Sequence, residues 1–89
     1  MKTFQDLSFE SMDDFFMVGK KARMHFDNGY GVSVVSHNYS YGGTQGLYEV
    51  AVLDSDDNLT YDTSVTSDVI GYLSEEGVTD VMKQVQNLT

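Results

Sequence analysis

The stretch KARMHFDNGYGVSVV, residues 21–35, limits the fold more than any other part of the chain. Ala22, Met24 and Phe26 alternate with Lys21, Arg23 and His25; beyond Asp27-Asn28-Gly29, the residues Tyr30, Val32 and Val34 share a face again. A period of two belongs to a strand with one face in water and one in a core. Asn-Gly is a strong turn signal, and the loop length decides which residues meet. A two-residue Asn28-Gly29 turn sets Phe26 opposite Gly31 and Met24 opposite Ser33. A three-residue loop sets Phe26 opposite Tyr30, Met24 opposite Val32 and Ala22 opposite Val34. Only the second joins the apolar sets, and a slip of one residue would send one set to solvent. The spacing therefore predicts a type I turn with a G1 bulge, and Gly29 in the left-handed region.

LYEVAVL, residues 47–53, reads as a strand with apolar character on both faces. Tyr48, Val50 and Val52 share one side; Leu47, Ala51 and Leu53 share the other with Glu49. Such a strand belongs inside a sheet, with a helix over one face. Leu59 to Thr63 is expected to return beside it, making residues 47–66 a second hairpin. The period then changes. Val78, Val81, Met82, Val85 and Leu88 follow the i, i+3, i+4, i+7 spacing of an amphipathic helix. Ser74 before Glu75 and Glu76 is a cap signal, while Gly77 favours a start nearer Thr79. DVIGYL, residues 68–73, fits either a short strand or a helical turn.

Residues 1–19 are apolar for a chain end, with Phe4, Leu7, Phe9, Met12, Phe15, Phe16, Met17 and Val18. They are expected to pack against the sheet as a strand or short helix; the alternative for MDDFFM is a dimer contact. With 89 residues, 40% of them hydrophobic and 21% charged, the chain can hold one small core and does not read as disordered. The expected architecture is α+β and a single domain over 1–89. It has an N-terminal segment (1–19), a small antiparallel β-sheet of about four strands in two hairpins (20–66), and a mostly helical part (67–89) packed on the sheet.

Several chemistries lack their residues. The chain has no cysteine, which removes disulfides, thiolate catalysis and the usual structural zinc sites. No GxSxG elbow is present, and His25 and His37, the only histidines, have no HExxH-type spacing to carboxylates. Gly42-Gly43 lacks the GxxxxGK pattern of a phosphate cradle. No catalytic residue, metal site or cofactor is expected. Fourteen acids against five bases give a net charge of −9, which repels nucleic-acid phosphate. An acidic surface serves solubility or docking on a basic partner. No apolar run approaches the roughly 20 residues of a membrane span, and MKTFQDLSFESMDD lacks the core of a signal peptide. A cytoplasmic protein making no membrane contact is expected.

LDSDDNLTYDT, residues 53–63, gathers Asp54, Asp56, Asp57 and Asp62. Asp54, Asp56 and Asn58 match positions 1, 3 and 5 of an EF-hand loop, but Leu59 stands where glycine is needed and Val65 where the bidentate glutamate should be. A hairpin tip accounts for the same residues, because Asp and Asn side chains bond to their own turn backbone. The carboxylates can also meet basic residues of a partner. In HNYSYGGTQG, residues 37–46, Tyr39 and Tyr41 are amphipathic contact candidates in a long loop. Asp54, Asp56, Asp57, Asp62, Tyr39 and Tyr41 are thus the candidate partner-binding residues.

The phrases DNGYGVSVV, YGG-x-x-GLYEVAVL and LTYDT-x-x-T-x-DVIGYLSEE resemble a group of short, acidic bacteriophage and prophage proteins with no assigned activity. The likeness covers residues 24–88, roughly three quarters of the chain. It carries no catalytic motif, and residues 1–20 stand outside it. It implies a non-enzymatic accessory protein that binds and modulates or inhibits a host protein, such as a defence protein, through an acidic surface. Two alternatives remain from the residues: a small homo-oligomeric structural or virion-associated protein, or a protein sequestering a nucleotide-like ligand between Tyr39, Tyr41, Arg23 and His25.

Overall fold

The computed structural model describes all 89 residues. The first hairpin has the three-residue loop that the apolar pattern requires. Strand β2 (Val18–His25) pairs antiparallel with β3 (Gly31–His37), with Ala22 opposite Val34 and Met24 opposite Val32. At the turn, the Gly29 amide donates to the Phe26 carbonyl (3.1 Å) and the Phe26 amide to the Tyr30 carbonyl (2.8 Å). Gly29 has φ +89°, as the G1 bulge demands.

The remaining strands extend this hairpin both ways. β1 (Glu10–Asp13) adds to β2, and β4 (Tyr48–Leu53) adds to β3 with Val32 opposite Val52 and Val34 opposite Val50. β5 (Ile70–Leu73) closes the other edge beside β4. The result is a five-stranded antiparallel sheet in the order β1-β2-β3-β4-β5, one strand more than the sequence pattern predicts. The partner of β4 also differs. Leu59–Thr63 returns only as far as one bridge, Leu53 to Leu59, and one bond from the Thr60 amide to the Val52 carbonyl (2.9 Å). Beyond it, threonine hydroxyls take the backbone: Thr60 accepts from the Asp62 amide, Thr63 from Val65 and Thr66 from Asp68. Local bonds of this kind compete with a ladder, and the pairing passes to DVIGYL instead.

Helix α1 (Glu75–Gln86) starts at the Ser74 cap, whose hydroxyl accepts from the Gly77 amide (3.1 Å). Gly77 does not delay the helix. A Cβ there would come within 3.1 Å of Leu73 Cδ2, so the absent side chain leaves room for Leu73. Val78, Val81, Met82 and Val85 of α1 are buried against Val32, Val34, Tyr48, Val50 and Val52. Each such aliphatic side chain contributes about 1.5–3 kcal/mol on full burial.

The N-terminal segment divides in two. Its first part straps the helix. The Lys2 amide donates to Gln86 Oε1 and Gln86 Nε2 donates to the Lys2 carbonyl (both 2.8 Å), and the Phe4 amide donates to Thr79 Oγ1 (3.0 Å). Phe4 and Phe9 pack on the Tyr48 ring at centroid distances of 5.0 and 5.7 Å. Lys20 Nζ lies 5.1 Å from the Phe9 ring centre and 5.3 Å from that of Tyr48. The second part, MDDFFM, forms the end of β1 and the turn into β2. Phe15 and Phe16 do not pack on the core, contrary to the expectation for this segment, because a four-residue turn projects them past the end of the sheet.

Candidate interaction surface

The acidic turn is a second copy of the first hairpin's geometry. The Asp57 amide donates to the Asp54 carbonyl (3.1 Å) and the Asp54 amide to the Asn58 carbonyl (2.8 Å). Asp57 stands where Gly29 stands in the first turn, and it too is left-handed, with φ +66°. For a side chain other than glycine, that conformation costs about 1–2 kcal/mol. Asp54 Oδ1 accepts from the amides of Asp56 (2.9 Å) and Asn58 (3.1 Å), as a turn aspartate does.

The turn is tied to the sheet. Arg23 Nη1 pairs with Asp57 Oδ2 at 3.0 Å and donates to the Asp57 carbonyl at 3.3 Å, and His25 Nε2 lies 3.5 Å from Asp57 Oδ1 and 3.3 Å from the Asp54 carbonyl oxygen. Arg23 and His25 project from the sheet face opposite α1, since they alternate with Ala22 and Met24. Gly31 allows the imidazole to cross its neighbour: a Cβ at Gly31 would sit 3.0 Å from His25 Cδ2 and 2.5 Å from the Met24 carbonyl oxygen. Both partners of the ion pair are about half exposed, so it is worth roughly 0.2–1 kcal/mol. Asp54 and Asp57 are therefore engaged within the chain; Asp56 and Asp62 are exposed, and their carboxylates have no partner in it.

The opposite end of the sheet is aromatic. By the strand register, the turn 14–17, the loop 38–47 and the end of β5 all lie where β2 begins and β3 ends. Phe15 is 93% exposed and Phe16 68%, and their rings meet edge to face at 4.9 Å. Tyr39, Tyr41 and Tyr72 are also exposed, the last two with rings stacked at 6.4 Å. The Tyr72 amide donates to the Tyr41 carbonyl (3.1 Å), and at Gly71 a Cβ would strike Tyr41 Cβ. With strands about 4.8 Å apart, these side chains cross most of the sheet's width.

Hydrogen bonds hold the phenylalanine turn. Asp14 Oδ1 accepts from the amides of Phe16 (2.9 Å) and Met17 (2.8 Å), while the Asp14 amide donates to the Met17 carbonyl (3.1 Å). The bonds from Phe16 and then Met17 hold the Asp14 carboxyl below the ordinary aspartate range. Asn38 clamps the turn to the loop after β3: its Nδ2 donates to the Phe16 carbonyl (3.0 Å), its Oδ1 accepts from the Val18 amide (2.9 Å), and its own amide donates to the Val18 carbonyl (3.2 Å). The loop 38–47 is itself ordered by Ser40, whose hydroxyl donates to the His37 carbonyl (3.0 Å) and accepts from the His37 amide (2.9 Å).

The candidate residues thus fall at two ends of the molecule. Tyr39 and Tyr41 stand with Phe15 and Phe16; Asp54, Asp56 and Asp57 stand at the other end, beside the first hairpin's turn. Tyr39 and Tyr41 do not meet Arg23 and His25. The concavity that Arg23 lines is bounded by Ser8, Glu10, Lys21 and Ala22. Sequence reasoning missed Phe15 and Phe16 as surface residues, Asn38 as their clamp and Tyr72 as the partner of Tyr41. The period of two does not reach this segment, since Lys20 stands between Val18 and Ala22; the local signal is the Asp13-Asp14 pair, a turn-forming residue type, ahead of the strand. No protein-family model, curated protein or solved structure matches the chain.

Proposed function

We propose that the chain is a non-enzymatic accessory protein that binds a host protein carrying a basic surface and modulates or inhibits it, as its likeness to small acidic phage proteins implies. The observation that carries this reading is the aromatic end: Phe15, Phe16, Tyr39 and Tyr41 on turns fixed by hydrogen bonds, and Tyr72 on β5, are all exposed in a chain of net charge −9. Rigid aromatic side chains give large contact area at low entropic cost, and tyrosine is enriched among residues that dominate binding energy. The surrounding negative charge steers a basic partner and makes association salt-dependent.

The test is capture from bacterial lysate with the tagged full chain at low and at moderate salt. One host protein retained in stoichiometric amount, and less of it at higher salt, is expected. Changing Asp54, Asp56 and Asp57 to Asn shows whether the acidic turn belongs to the contact. Retention of no protein at either salt refutes the reading. Self-association in its place favours the homo-oligomeric alternative.

A further inference from the structure

We infer that the Phe15–Phe16 turn is the anchor of the interaction, and that it enters an apolar pocket rimmed by lysine or arginine on a partner protein. This rests on the binding reading above and names the part of the surface that would carry it.

Three observations converge. The first is exposure: Phe15 is 93% and Phe16 68% accessible, although each ring can remove about 150–250 Å² from contact with water. The same chain packs Phe4 and Phe9, partly buried, against Tyr48, so the pair stays outside because of its place in the fold. The second is rigidity. The Asp14 and Asn38 side chains bond to the backbone of Phe16, Met17 and Val18, so little backbone freedom is lost on docking. The third is charge. Asp13 and Asp14 directly precede the rings and are exposed. A receiving pocket needs cations at its rim to compensate them.

The same charges select among occupants. An anionic bilayer repels two carboxylates carried to its surface beside the rings. A second copy brings another net −9, and each of the three concavities on this chain has a single apolar residue in its lining. A foreign protein with a basic rim meets neither objection.

The test uses the full chain with the photoreactive residue p-benzoylphenylalanine in place of Phe15, Phe16 or, at the opposite end, Asp56, irradiated in bacterial lysate. Crosslinks from positions 15 and 16 to one foreign protein, at an apolar peptide flanked by lysine or arginine, are expected. With that protein purified, F15S/F16S should weaken binding by about thirtyfold or more. D13N/D14N, in which the side-chain amide at position 14 keeps a carbonyl oxygen to cap the turn, should weaken it several-fold and flatten its salt dependence. Unchanged circular dichroism and melting temperature would show that the variants fold. Crosslinks from position 56 alone overturn the inference and leave the binding reading standing. No foreign crosslink from any of the three positions overturns both. Crosslinked dimers or lipid adducts from positions 15 and 16 overturn the inference in favour of a second copy or a membrane.

Discussion

Asn28 joins the first hairpin to the end of the helix, and its side chain has three partners. Nδ2 donates to the carbonyls of Val85 (2.8 Å) and Leu88 (3.0 Å), in the last turn of α1 and just beyond it, while Oδ1 accepts from the Tyr30 amide (3.1 Å). The last carbonyls of a helix have no partner within it and carry the negative end of its dipole. Each bond contributes about 0.5–1.5 kcal/mol net, toward the lower end here because Asn28 is exposed and water replaces part of the loss. N28A should therefore destabilise by about 1–2 kcal/mol. N28D is the sharper test. It keeps the acceptor for Tyr30 and the turn preference, but replaces two donors with an oxygen aimed at two carbonyls. The added repulsion from the helix end is about 0.3–1 kcal/mol, which with the two lost donor bonds gives a total of about 1–3 kcal/mol at neutral pH. The new carboxyl is pushed up in the folded state, so protonation favours folding. The penalty is full above its folded pKa, and N28D gains on N28A as pH is lowered toward about 4. Denaturant unfolding with the slope checked for constancy measures this, and in a thermal scan 1 kcal/mol corresponds to about 4–8 °C for a domain of this size. The reasoning fails if N28D is as stable as wild type at neutral pH, or if it never falls below N28A.

Three further outcomes follow from the geometry. Asp14 sits below the ordinary aspartate range, so its contribution to the turn is present above its unfolded pKa and lost as pH falls through the lower folded value; the Phe16 and Met17 amide resonances should titrate with that low midpoint, and a midpoint at or above the ordinary value contradicts the two bonds. D57G relieves a left-handed residue, whose cost for aspartate is below the generic value of about 1–2 kcal/mol, but adds glycine's chain entropy and loses an ion pair worth at most about 1 kcal/mol, so these small terms leave the melting temperature within about 8 °C of wild type; a larger fall refutes this balance. G31A places a Cβ 2.5 Å from the Met24 carbonyl oxygen and 3.0 Å from His25, which should cost about 1–3 kcal/mol and shift the His25 ring resonances away from Asp57, with unchanged stability as the contrary result.

The parts of the fold legible in the sequence are those where burial leaves one choice. Ala22, Met24, Val32 and Val34 can share a core face only with a three-residue loop, and the register follows. The same logic locates β4 inside the sheet and Val78 to Val85 on the inner face of the helix. It fails between residues 59 and 73. LTYDT alternates like a strand, but its threonines bond to the backbone two residues on, an option that a hydrophobic pattern does not record. Ile70–Leu73 alternates poorly because it holds Gly71 and a left-handed Tyr72 at φ +58°, with an irregular register between Tyr48 and Val50. At the surface, residue order alone does not measure how far apart two loops stand. Tyr39 and Asp54, both candidate partner-binding residues, fall at opposite ends, because β3 and β4 run the length of the sheet between them.

The strap that joins Lys2 to Gln86 also fixes where the chain can be extended. Both termini leave the molecule at the helix end that Asn28 caps, away from Phe15, Phe16 and the exposed tyrosines. Neighbouring termini of this kind suit circular permutation, and a short linker from residue 89 to residue 1 would permit new ends in the segment 60–69, where backbone pairing with the sheet is least. A fluorophore, a surface tether or a carrier protein attached at either terminus would hold the domain by its closed end and leave the aromatic end facing outward.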